Sequence, residues 1–269
     1  MKATLKDVME ILDELAPFSL AEEWDNAGLQ VGSPSSEVTR IFIALDPTLE
    51  SVRRAAAMDA QLLVTHHPLI FSPLFLVNPD SYPGSVICEA LIREISIISL
   101  HTNLDSAQGG INDILAGLIG LRGVEVLQKK AGFTHNGAGL GRIGDLSEAQ
   151  PLSEVCETVK AAFGASEIMI LGEKEMPVRR VAVIGGSGGE MATLASKNGA
   201  DLLITGDIRH HEALLAETLG LALIDCGHFQ TEKAALNIFA EHLRDRFMEQ
   251  GLPLAVENFQ NERKPLRVG

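Results

Sequence analysis

Residues 62–71, "LLVTHHPLIF", run apolar until two adjacent imidazoles, His66 and His67, and a proline end them. Two further segments repeat the pattern H-x-x-x-[DE]: His101 with Asp105, and His228 with Glu232. Imidazole and carboxylate donors without thiolate suit zinc, iron, manganese, cobalt or nickel, and the residues do not choose among them. His66, His67, Asp105, His228 and Glu232 shared by two divalent ions leave positions for water, as catalytic rather than structural metal sites do. Two such ions about 3.5 to 4 Å apart can hold a hydroxide and clamp the attacking and leaving oxygens of a hydrolytic step. Successive side chains of an extended segment point to opposite sides, and Pro68 biases His67 toward extended backbone. The two imidazoles are therefore expected to diverge, which favours two metals over one.

A lone histidine is more often a hydrogen-bonded structural or surface residue than a ligand, and a lone Asp105 or Glu232 reads as a helix-start residue. What changes that reading is a repeat. "VTRIFIALDPTLESVRRAAAMDAQLLVT" (38–65) aligns without a gap to "VRRVAVIGGSGGEMATLASKNGADLLIT" (178–205) at a constant offset of 140 positions, with Val38/Val178, Glu50/Glu190, Leu62/Leu202 and Thr65/Thr205 among the identities. Each copy reads strand, turn, helix, strand, with a helix over roughly 49–58 in the first, a unit that wants a right-handed parallel crossover. "ISIISLHTNLDSAQGGINDIL" and "LALIDCGHFQTEKAALNIF" extend the copies at an offset of 127, the 13 extra residues of the first falling in the loop 72–84.

The chain reads as two related α/β lobes, 1–127 with the tandem histidines and 128–269 with the late histidine and glutamate. Residues 128–150, rich in glycine and polar side chains, are taken as the crossing. The lobes are chemically unequal, because Gly206 and Asp207 stand where the first has His66 and His67. A single site drawing on both lobes is the economical expectation. Asp105 and Glu232 are each placed just ahead of a helix, whose N-terminus tolerates a carboxylate, at the carboxyl ends of strands where open sheets bind ligands. His210 and His211 are expected near a helix start, at the rim of a site. "VIGGSGGE" (183–190) lacks both G-x-G-x-x-G and G-K-[ST], so it reads as a strand-to-helix turn before a phosphate loop. Trp24, Asp25 and Asn26 read as a compact polar turn with a packing role, or as cleft lining.

Composition sets outer bounds. With 46% hydrophobic and only 4% aromatic residues the core must be aliphatic. A net charge of −14 disfavours nucleic acid and anionic lipid on the outer surface, leaving only an internal cavity open to nucleic acid. Three scattered cysteines, Cys88, Cys156 and Cys226, offer no C-x-x-C pair and suit a reducing cytoplasm. The opening residues form an amphipathic helix with Thr4 as its N-cap, not an export signal, and no apolar run reaches membrane-spanning length.

"EEWDNAGLQVG", "LLVTHHPLIF", "LHTNLDSAQGGIND", "GLGRIGDL", "VAVIGGSGG", "LLITGDIRHHEALLAETLG" and "IDCGHFQTEKAAL" together resemble the dinuclear-metal family known as type 2 GTP cyclohydrolase, or NIF-three-like, proteins. The likeness runs from the first helix almost to the end of the chain. It implies the NIF-three-like fold without the inserted domain and metal ligands at His66, His67, Asp105, His228 and Glu232, with Glu232 bridging. It also implies a toroidal homohexamer whose metals face a central cavity. His101, the histidine of "HTNLD", is close enough in sequence to Asp105 to be a further weak ligand or a proton carrier, and is expected beside the metals in the second role. The expectation is a metal-dependent hydrolase of a small nucleotide-like or phosphorylated compound. The competing reading is a metal-containing binding or regulatory protein without catalysis of its own.

Overall fold

In a computed structural model of the chain, which describes residues 3–130 and 137–266, the molecule is mixed α/β. It forms two compact units, Met1–Leu104 with Asn237–Gly269, and Asp105–Leu236. The first is built on a five-stranded sheet in the order Ala255–Asn258, Arg40–Ala44, Leu62–Thr65, Ser96–Ser99, Gly28–Val31, parallel except at the last pair. Its central strands are buried on both faces, which is why they read as continuous apolar runs rather than alternating ones. The helix Leu49–Ala57 crosses between the first two repeat strands. Thr48 and Ser51 form its capping box, and Val52 and Ala55 face the core while Arg53 and Arg54 face solvent. Leu5–Leu15 is likewise capped by Thr4, reciprocally with Asp7, as the opening sequence predicts.

The second unit carries a six-stranded sheet in the order Arg122–Lys129, Gly139–Pro151, Pro177–Ser187, Leu202–Gly206, Ala222–Asp225, Met169–Leu171. The repeat survives in its register. Ile41 pairs with Leu62 and Phe42 with Leu63 in the first unit, and Val181 pairs with Leu202 and Ala182 with Leu203 in the second, all parallel.

Three expectations about the elements change. Gly139–Pro151 is not a crossing but a strand paired on both sides, with Arg122–Lys129 and with Pro177–Ser187; residues 131–136 of the expected crossing lie outside the described residues. Glycines at 139, 141 and 144 hid this strand, because they lack the side chains that mark one. The compact units divide at Leu104/Asp105 and Leu236/Asn237 rather than between 127 and 128, since Ala255–Asn258 near the C-terminus adds to the edge of the first sheet. Finally, Glu232 does not precede a helix, because the helix His228–Glu249 begins at His228; Asp105 does lie ahead of the expected helix, Ile111–Leu118, although within a short helical turn of its own, Thr102–Ser106. The 72–84 segment is, as expected, an irregular loop up to the helix Gly84–Ile92. His210 opens the helix His210–Thr218, with His211 beside it.

Candidate metal centre

In the first unit the strand Leu62–Thr65 stops at Thr65, and the segment beyond it bends. The Thr65 hydroxyl donates to the His67 carbonyl at 2.7 Å, and the Ser99 hydroxyl donates to the His66 carbonyl at 2.8 Å. This bend overturns the expected divergence of the two imidazoles. Their ring centroids are 5.2 Å apart, His101 joins them at 5.3 and 5.7 Å, and one ligating nitrogen of each ring lies within 4.8 Å of the other two.

Each of these rings is held by its Nδ1. That of His66, a fully buried residue, meets the Leu100 carbonyl at 2.7 Å. His67 Nδ1 meets Asp46 Oδ1 at 2.7 Å, and His101 Nδ1 meets Asp25 Oδ1 at 2.8 Å. An acceptor at Nδ1 puts the proton there in the neutral ring and makes Nε2 the lone-pair nitrogen. Metal-ligating histidines are oriented and made more basic in this way. Asp25 is held in turn: its other oxygen accepts from the Thr102 amide at 3.1 Å and the Thr102 hydroxyl at 2.5 Å. Burial works most strongly against its ionisation, but hydrogen bonds from His101 and Thr102, the His101 charge and the Asn26 amide outweigh it and bring its pKa to about 2.

In the second unit His228 and Glu232, four residues apart on one helix, share a face, and His228 Nε2 lies 3.0 Å from Glu232 Oε1. His228 Nδ1 is 3.0 Å from Asp207 Oδ2, repeating the imidazole–carboxylate arrangement. Asp207 takes a φ of +53° to reach it. Gly206, which replaces His66 in this copy, is required by crowding: a Cβ there would meet the backbone of Gly227 and His228. Asp105 is fixed through its carbonyl, which accepts from Asn112 Nδ2 at 2.9 Å.

The structure thus gathers His66, His67 and His101 in one unit and His228 with Glu232 in the other; Asp105 is not part of the three-histidine group. His101, expected beside the ligands as a proton carrier, stands among the imidazoles. Sequence reasoning missed Asp46 and Leu100 as the groups that orient the histidines. Asp46 had a signal, since "IALDP" places it just past the strand that neighbours Leu62–Thr65. Leu100 had none, because only its carbonyl acts. Trp24 is exposed and meets His101 edge-on at 6.1 Å, so it borders the cluster rather than filling a core.

The donor chemistry fits a divalent metal. The donor groups are imidazoles and a carboxylate, and two of the thiols are held protonated: burial pushes Cys226 up to about 12, with the Asp225 charge and Cys156 adding to it, and burial raises Cys156. Residues 3–265 match the family Duf34/NIF3 (NGG1p interacting factor 3). The chain belongs to that family. A protein of Helicobacter pylori named GTP cyclohydrolase 1 type 2 is 33% identical over 266 residues, covering 99% of both chains. A Clostridium perfringens protein named GTP cyclohydrolase 1 type 2 homolog is 34% identical over 242 residues, 90% of this chain and 92% of its own. The crystal structure of a Bacillus cereus protein related to NIF3 superimposes with a TM-score of 0.94 at 25% identity over all of both chains. The NIF3 fold expected from the motifs is therefore the fold of this chain.

Proposed function

We propose that this Duf34/NIF3 protein is a divalent-metal-dependent hydrolase of a small nucleotide-like or phosphorylated substrate. His66, His67, Asp105, His228 and Glu232 would hold two ions, with Glu232 as the bridging ligand. The observation that carries the reading is the set of three neighbouring imidazoles, each with Nδ1 turned to an acceptor. Core packing has no need for that arrangement, whereas metal ligation does. When bound, the ions supply Lewis acidity and a water acidified toward neutral pH.

His101 is the proton carrier of this proposal. Its ring is braced by Asp25, which stays ionised at neutral pH, so a proton taken up at Nε2 is stabilised across the ring by a carboxylate. Names of relatives that include GTP cyclohydrolase make GTP one substrate to test. Assembly into a homohexamer completes the reading. The fully exposed Phe75, with Leu76 and Tyr82 on the same loop, gives one unit an apolar surface suited to another copy.

Metal content of protein purified without chelator tests the core of the proposal, measured beside His66→Ala and Glu232→Ala. About two ions per chain, lost in Glu232→Ala and reduced in His66→Ala, with turnover of a phosphorylated or nucleotide substrate lost in step, is the expected result. No bound metal after reconstitution would sink it. Metal that is retained and needed only for assembly, without turnover of any such substrate, would favour a binding protein instead.

A further inference from the structure

We propose that Asn112, Thr231 and the glycine pair Gly185–Gly186 form a clamp that positions the carboxylates of Asp105 and Glu232. The inference rests on the metal-centre reading above and gives a role to the "VIGGSGG" segment, which lacks the marks of a phosphate loop. Asn112 is 1% exposed and uses both ends of its amide: Nδ2 donates to the Asp105 carbonyl at 2.9 Å, and Oδ1 accepts from the Gly185 amide at 2.9 Å. The next amide, of Gly186, donates at 3.0 Å to the hydroxyl of Thr231, the residue before Glu232. That hydroxyl donates onward to the His228 carbonyl at 2.8 Å. A continuous chain of hydrogen bonds therefore runs from the backbone of Asp105 to the backbone around Glu232.

Both glycines are demanded by what they face. Gly186 has a φ of +68°, and a Cβ there would clash with Glu232 Oε1 and approach His228 Cε1 to 3.4 Å. A Cβ on Gly185 would press on Ile111 Cγ2 at 2.8 Å, in the helix that carries Asn112. The turn is thus a flat wall against which the Glu232 carboxylate rests. Such a wall fixes the angle at which the carboxylate is presented, and Asn112 sets Asp105 in register with it. Outer groups of this kind govern ligand affinity without touching the ion.

Cobalt(II) titration followed by visible absorption separates positioning from simple folding, because the bands of bound Co²⁺ report ligand geometry. Thr231→Val keeps the side-chain shape and removes only the hydroxyl; Asn112→Ser and Gly186→Ala probe the other two points. The melting temperature of each variant in excess chelator monitors the fold separately. Expected are a loss of roughly 10–100-fold in Co²⁺ affinity and displaced bands at saturating metal, with Thr231→Val still folding cooperatively in chelator. Wild-type affinity and band positions in Thr231→Val and Gly186→Ala would overturn the clamp and leave the metal centre standing. Absence of Co²⁺ bands in the wild-type protein would remove the metal centre, and the clamp with it.

Discussion

Arg142 is a guanidinium buried to 1% exposure in the strand Gly139–Pro151, and its removal is the sharpest stability test of the second unit. Nε and Nη2 grip Asp113 at 2.5 and 2.9 Å. Nη1 donates to the Gly139 and Gly141 carbonyls at 2.8 and 2.9 Å, and Nη2 also reaches those of Ala107 and Gly137 at 3.1 and 3.0 Å. The residue thereby ties the loop two residues beyond Asp105 to the helix Ile111–Leu118 and to its own strand. Arg142→Met keeps the apolar stem and deletes every donor. Breaking one side of a buried ion pair costs about 3–5 kcal/mol. Asp113, with 27% of its side chain exposed, can turn in part to water and to the Gly109 amide it already holds at 2.6 Å, so the lower half of that range applies. At roughly 2–4 °C per kcal/mol, the melting temperature should fall by about 6–16 °C in calorimetry. Arg142→Lys should recover less than half of the loss, since an ammonium cannot reproduce the planar fork. Adding Asp113→Leu to Arg142→Met should cost less than the two single changes together, because no buried charge is then left alone. A shift under about 2 °C for Arg142→Met, or strict additivity in the cycle, would mean that Arg142 and Asp113 do not act as a buried, coupled pair.

Asp46→Ala removes the acceptor at His67 Nδ1 and should weaken metal binding by roughly 10–100-fold, measured by competition with a chromophoric chelator; unchanged affinity would show that the ring needs no bracing. Asp25 has a folded-state pKa of about 2, below the 3.8 of the free side chain, so the folded chain binds its proton more weakly than the unfolded chain. Its contribution, at most about 2.5 kcal/mol, should be nearly complete above about pH 4 and be largely lost as pH falls toward 2. Urea denaturation of Asp25→Asn beside the wild type should show a stability gap that closes across that window, and a gap constant from neutral pH to pH 2 would contradict the assignment. Phe75→Ser with Leu76→Ser should lower the mass seen by light scattering if the exposed loop seals an interface between copies; an unchanged mass would place that interface elsewhere.

Much of the architecture was legible because the repeat leaves its mark twice, once in residue identity and once in strand register. Ile41 with Leu62 and Val181 with Leu202 keep the same pairing across the offset. The histidines were legible because imidazoles at the end of an apolar run are out of place in a strand. Their convergence was not, since it depends on a bend made by Thr65 and Ser99, and hydroxyls at a strand end carry no pattern in sequence. The strand Gly139–Pro151 was hidden by its glycines, and the pairing of Ala255–Asn258 with Arg40–Ala44 joins residues more than two hundred positions apart. Helix His228–Glu249 starts earlier than expected because the four-residue spacing of His228 and Glu232 reads equally well as a polar turn ahead of a helix and as the first turn of the helix itself.

The two copies of the repeat explain why one chain can carry two kinds of donor. In the first, Asp46 follows one strand and His67 the next, and they pair. In the second, those positions are Gly186 and Asp207. The carboxylate has moved to the histidine's place, where Asp207 braces His228 from the strand after it. The position vacated at 186 has become the surface against which Glu232 lies, and no side chain fits there. Gly206 shows the same exchange, because the backbone that brings His228 into place fills the space that His66 uses in the first copy. Both copies thus keep an imidazole braced by a carboxylate at the carboxyl ends of their parallel strands, His67 by Asp46 in the first and His228 by Asp207 in the second, while the residues that supply the carboxylate have changed places. Restoring the first copy's residues in the second, as Gly186→Asp or Gly206→His, should therefore displace Glu232 or His228 rather than add a ligand. The outcome to measure is metal content, which should fall; a rise would mean that the copies are still interchangeable.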